Sequence, residues 1–272
     1  MSVASNQKHA ESEVKSLERR ALYGGLDDGP RPETRAQVAA ALERGVDPLV
    51  VVDHVARGVD TLVTDFERLD LPGEEPLACT KGCSYCCHQR VELTAPEVLL
   101  IARSVRESAE RRSRVAETAR RLGGQDARTH HLAQVRCALL DENGACSVYA
   151  SRPLACRRAH STDVGICEAA HRKPTLEVLV PSSTALWWNI SALVLGYYEG
   201  SALGGHPPHI YELHAALHVA LEDPDVEARF RRGEDPFASV RARHADDLFD
   251  VFGRAGPRAD GEVTPGTKSA LG

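Results

Sequence analysis

Four cysteines, Cys79, Cys83, Cys86 and Cys87, fall within one short stretch of this chain, ACTKGCSYCCH, residues 78–88. Four more follow at Cys137, Cys146, Cys156 and Cys167, and the chain of 272 residues has only these eight. A chain of this length can build a core without thiols, so crowding them between 79 and 167 points to chemistry rather than packing. Closely spaced thiolates suit a soft metal, either zinc or the irons of a cluster. Cys83 and Cys86 have the C-x2-C spacing that lets a turning backbone present two sulfurs to one ion. Adjacent side chains diverge, so the doublet Cys86–Cys87 implies either two sites or one multi-iron cluster. Eight thiols allow two four-thiolate zinc sites, or one four-iron cluster with spare thiols.

Other polar residues accompany the thiols. Arg152, Arg157 and Arg158 surround Cys156. Four thiolates on one zinc leave a net charge of about −2, which nearby guanidiniums would offset. Arg152 and Arg157 are therefore the candidate cofactor-binding residues. His88 and His160 stand beside the cysteine runs as candidate nitrogen ligands or hydrogen-bond donors. His214 and His218 are one helical turn apart, but no third ligand is fixed near them, so they read as a helix flank. His130 and His131 read as exposed.

The elements that position these residues read as helices. Asp47 caps a helix whose apolar residues Val51, Val52, Val55, Val59, Leu62, Val63 and Phe66 recur at three and four. Thr94, Pro96 and Glu97 form a capping box that opens a helix expected to run unbroken to Leu122. Its charge-rich half, RESAERRSRVAETARR, reads as a solvated face rather than a binding patch. Residues 137–150 read as a short β-hairpin turning at Asn143–Gly144, with Tyr149 beneath it. TLEVLV, residues 175–180, is a further strand candidate. Residues 183–199 are apolar nearly all round, which predicts a buried central helix with Trp187 and Trp188 in the core. Further helices are expected over 11–23, 33–44, 126–136, 163–172, 209–222, 224–232 and 237–253.

The expected class is thus mainly α, a helical scaffold around a loop-rich, cysteine-ligated metal domain with a short β-hairpin. The boundaries read as a disordered N-terminus at 1–10, N-terminal helices at 11–74 and the cysteine-cluster domain at 75–175. C-terminal helices follow at 176–254, then a disordered tail at 255–272. A formal net charge of −6 argues against non-specific nucleic-acid binding. No stretch approaches a membrane span and the N-terminus has no secretory pattern, so a cytoplasmic protein with reduced thiols is expected. Glycine-rich phosphate loops, catalytic triads and paired catalytic carboxylates are not evident.

CTKGCSYCC, followed by CALLDENGACSVYASRPLACR, resembles the YkgJ-like cysteine-cluster family, described as a zinc- or iron-chelating domain. The residues that carry the resemblance are Cys83, Cys86 and Cys87 in the knot and Cys137 before a loop. Asn143 and Gly144 follow in the turn, then Cys146, Ser147 and Tyr149, then Arg152, Pro153, Cys156 and Arg157. Cys79 departs from the pattern, with three residues rather than two before Cys83. The resemblance implies chelation of zinc or iron over residues 77–168 and no particular activity. Relatives that pair such a cluster with methyl transfer keep a second class open, an iron–sulfur-dependent redox or group-transfer enzyme. A third is a thiol-redox or interaction protein.

Overall fold

A core of Leu, Val and Ala with few aromatics packs most readily between helices, and helices dominate the computed structural model. Described here are residues 29–69, 71, 73–174 and 179–242. Ten α-helices occur among them. The N-terminal pair is α1 (Arg31–Glu43) and α2 (Pro48–Leu69). After the knot come α3 (Ala95–Val105), α4 (Ala109–Leu122) and α5 (Ala127–Ala133). Short α6 (Leu154–Arg158) and α7 (Val164–Arg172) carry the last two cysteines. The scaffold closes with α8 (Thr184–Leu203), α9 (Leu213–Glu222) and α10 (Val226–Arg231). One small antiparallel sheet pairs β1 (Glu92–Thr94) with β2 (Ile210–Glu212), in the register Leu93 opposite Tyr211.

Several expectations change. The helix opened by Thr94 stops at Val105, and Ser108 starts a new one by accepting from the Arg111 amide at 3.3 Å. A serine hydroxyl that caps competes with helix continuation at that point. Residues 137–150 form no strands. Only the bridge between Leu140 and Cys146 remains of the hairpin, because Asp141 Oδ1 gathers the amides of Asn143 and Ala145 into a tight loop. The helix expected from 209 begins as β2. Trp187 and Trp188 are 37% and 41% exposed, and Tyr149 is 58% exposed with the Arg152 guanidinium over its ring. The helix at 11–23 lies outside the described residues, as does most of the strand at 175–180. Of the helix at 237–253, a 3-10 turn at Ala238–Val240 falls within them.

Two apolar cores result. One is built by α1, α2 and α8, through Val38, Val52, Val59, Leu186 and Ile190. The other gathers α3, α4 and α9, through Val98, Ile101, Val115, Leu217 and the sheet residues Leu93 and Tyr211. Leu100 of α3 packs against both. The cysteine segments are rooted in each: Leu154 in the first, Ala138, Leu139 and Val148 in the second.

Helices α1 and α8 approach so closely that only glycine fits between them. A Cβ on Gly196 would meet the Arg31 carbonyl at 2.6 Å, and one on Gly200 would meet the Arg35 carbonyl at 2.6 Å. Arg31 and Glu199 clamp one end as an ion pair. Gly200→Ala should therefore cost about 1–3 kcal/mol by overpacking. Urea unfolding of the purified variant reads this, and an unchanged midpoint would show that the helices separate without penalty.

Candidate metal centre

Backbone hydrogen bonds draw the cysteine-bearing segments together. The Cys137 amide donates to the Cys87 carbonyl at 2.9 Å, which ties the 137 loop to the knot. The Ala78 amide donates to the Ser161 carbonyl at 2.8 Å, which ties the start of the knot to the segment before α7. The two loops also cross. Gly82 and Gly144 both have positive φ, and a Cβ on Gly144 would meet the Gly82 carbonyl at 3.2 Å. At Gly144 glycine is demanded twice, by conformation and by space. Asp163 caps α7 through the Gly165 and Ile166 amides, which fixes the helix carrying Cys167.

The thiols influence one another in two groups. Burial pushes the Cys79 thiol up, and the nearby Cys83, Cys86 and Cys167 add to it. Burial likewise holds Cys156 well above the usual thiol range, with Cys137, Cys86 and Cys146 contributing. Cys146 is raised by burial, and Cys137 adds to that. Cys86 is raised first by its hydrogen bond with the Cys87 sulfur and then by burial, and it is a neighbour of both groups. All eight cysteines are free thiols. The side chains are gathered but not closed: among the described residues, no three His, Cys, Asp or Glu side chains are placed to hold a metal ion as they stand.

The surroundings of the sulfurs fit a negatively charged metal–thiolate group. Arg152 lowers the thiols of Cys86, Cys146 and Cys156 through its charge. Its Nε is buried without a hydrogen-bond partner. A buried donor lacking an acceptor costs about 1–3 kcal/mol, and a thiolate sulfur would supply that acceptor. Arg152 also reaches the Asp60 carboxylate of α2, at 3.5 Å. Arg157 shares that carboxylate and is held more fully. It is 4% exposed, and its guanidinium pairs with Asp60 of α2 and donates to the carbonyls of Ala150 at 2.7 Å and Arg152 at 3.0 Å. These bonds hold the chain between Cys146 and Cys156 against α2. Glu97 does related work from α3. Its carboxylate accepts from Thr94 at 2.8 Å and 2.7 Å and from the Leu154 amide at 2.8 Å. Burial nevertheless raises its pKa.

The histidines divide as well. His160 has both ring nitrogens turned to carbonyls, those of Arg158 at 2.9 Å and Ser183 at 3.4 Å. His88 stacks with His171 of α7 at 4.2 Å between ring centroids, beside the Cys167 helix. His214, expected on a helix flank, is 2% exposed and set against the cysteines. Its Nδ1 lies 3.0 Å from Glu212 Oε1, and Nε2 accepts from the Ala138 amide at 3.3 Å when the ring is neutral. Burial pulls its pKa down. Hydrogen bonds of the charged ring with the Cys137 sulfur and Glu212 outweigh that and hold it above the usual histidine range. The sequence signal was available in retrospect, since Glu212 starts α9 as its cap and so orients His214 two residues later. His130, read as exposed, is 1% exposed with both ring nitrogens unpartnered.

Residues 78–175 match the family model CxxCxxCC, whose description reads "Putative zinc- or iron-chelating domain". The likeness covers the cysteine-bearing segment and not the helical flanks. No curated protein and no solved structure matches the chain.

The two arginines should separate by experiment. Arg157→Met leaves two carbonyls without their donor and leaves Asp60 only its longer contact with Arg152, and it should cost about 2–4 kcal/mol in chemical denaturation. Arg152→Gln gives up only the longer contact with Asp60, so it should cost less stability than Arg157→Met, and it should weaken metal retention about 10–100-fold in a chelator competition. Equal effects on both readouts would contradict the division.

His130 supplies a pH prediction. Burial holds its pKa below the ordinary 6.5, with Glu212 opposing and His214 and Arg90 assisting. The unfolded chain takes up that proton below its ordinary value while the folded chain does not, so stability falls as pH drops below about 6.5. His130→Leu should gain about 1 kcal/mol at neutral pH by removing unpaired nitrogens. It should also flatten the acid side of the stability curve. A variant as acid-sensitive as the parent would contradict this.

Proposed function

We propose that this protein is a thiolate metal-binding protein that holds zinc or an iron–sulfur centre in two sets of cysteines. One set is Cys79, Cys83 and Cys167 with one thiol of the Cys86–Cys87 doublet. The other is Cys137, Cys146 and Cys156 with the doublet's second thiol. The observation that carries this reading is the backbone, which ties Cys137 to Cys87 at 2.9 Å and ties Ala78, beside Cys79, to Ser161, ahead of the Cys167 helix, at 2.8 Å. A doublet whose side chains diverge is a natural junction between two such sets. Bound metal would supply positive charge that lets the thiols ionise despite burial and mutual repulsion. The chain's own part is to gather the sulfurs, to offset their charge with Arg152, and to hold the Cys137 segment through His214 and Glu212.

Eight free thiols and the family match support chelation over a set of disulfides. They also favour a reducing compartment such as the cytosol as the working place. No described helix is long and apolar enough to cross a membrane.

The test is elemental analysis with an absorption spectrum on protein purified without oxygen. Two four-thiolate sites predict colourless protein with about two zinc per chain. A cluster predicts iron and a broad band near ~400 nm. Protein carrying neither metal in stoichiometric amount would overturn the reading. Because the ligands come from separate segments, metal removal should raise amide exchange in residues 79–167 more than in α1, α2 and α8. Equal protection in both forms would contradict it.

A further inference from the structure

The charge-rich helix α4 does more than face solvent. Its residues Arg114 and Arg120, with Arg136 from the segment after α5, line a cleft of about 340 Å³ that opens onto Cys137. The hydroxyl-bearing residues Ser113 and Thr118 complete the α4 side. Three guanidiniums therefore face one carboxylate, Glu117, in a chain whose formal net charge is −6. Glu117 is already engaged by Arg120, as an ion pair along the helix. Arg136 donates to the Asp141 carbonyl. Arg114 reaches Glu110 only at 3.6 Å, and its Nε is buried with no hydrogen-bond partner. The cleft lining thus carries more positive charge than its one carboxylate offsets.

We propose that this cleft binds a small multivalent oxyanion, with two or more carboxylate groups or a phosphate, against the Cys137 face of the cysteine cluster. Forked guanidiniums match such oxygens in pairs. A volume near the lower end of ligand pockets fits a compact anion rather than a nucleotide or a peptide. The proposal stands on the guanidiniums and is independent of metal occupancy.

The test is calorimetric titration of the purified full chain with inorganic phosphate and, separately, with citrate. The same titrations are run on the Arg114→Gln/Arg136→Gln variant and on Arg103→Gln, whose guanidinium pairs with Glu227 and does not line the cleft. The expected result is saturable binding of one anion per chain, weakened at least tenfold in the double variant and unchanged in Arg103→Gln. Tighter binding of citrate identifies a polycarboxylate as the natural class, and tighter binding of phosphate identifies a phosphate. Circular dichroism confirms that the variants fold; if the double variant does not, Arg136→Gln alone supplies the same comparison. Lack of saturable binding by either anion, or binding indifferent to the arginines, overturns the proposal. Absence of metal from the purified protein would sink the chelation reading and leave this result intact.

Discussion

Thiolates repel one another, and buried thiols resist ionising at all, so segments that bring several cysteines near one another need a frame to hold them. Here the frame is backbone. The Cys87 carbonyl accepts from Cys137, and the Ser161 carbonyl accepts from Ala78. Gly82 and Gly144, both with positive φ, let two loops cross, and at Gly144 a side chain would also crowd the Gly82 carbonyl. These contacts use peptide groups rather than sulfur, so the thiols stay available. The raised thiols of Cys79, Cys146 and Cys156 are the other face of this constraint, since burial and neighbouring thiols act in one direction, with the Arg152 charge opposing at Cys146 and Cys156.

The helical flanks make the frame rigid. Leu154 is buried in the core of α1, α2 and α8, while Ala138, Leu139 and Val148 are buried in that of α3, α4 and α9. The Cys146–Cys156 segment thus spans two hydrophobic anchors. Arg157 and Glu97 fasten it in between, one reaching Asp60 of α2 and the other capping α3 while accepting from Leu154. The motif's two arginines consequently do different work although they stand close in sequence. Both reach Asp60, but Arg157 spends its other donors on carbonyls, while the Arg152 Nε has no hydrogen-bond partner and its charge acts on the thiols.

Much of this was legible in the sequence because it rests on local rules. The capping box at Thr94–Glu97 and the period of three and four in α2 predict their helices directly. The cysteine spacing predicts a metal site, and the segment it marks is the one the family model covers. What escaped depends on contacts distant in sequence. β1 and β2 are three residues each and too short to show alternation. The Trp187–Trp188 pair lies on a helix that is apolar all round, so the sequence holds no cue to which face meets solvent. His130 and His214 look like surface residues, yet both are buried. The charge along α4 carries no mark of which arginines meet Arg136 across a cleft.

The claim on which the account turns is that sulfur from separated parts of the chain surrounds the bound metal. X-ray absorption at the metal edge, on protein purified without oxygen, tests it most directly. A shell dominated by sulfur at about 2.3 Å, as four-thiolate coordination requires, is the predicted result. A shell dominated by nitrogen or oxygen would contradict it.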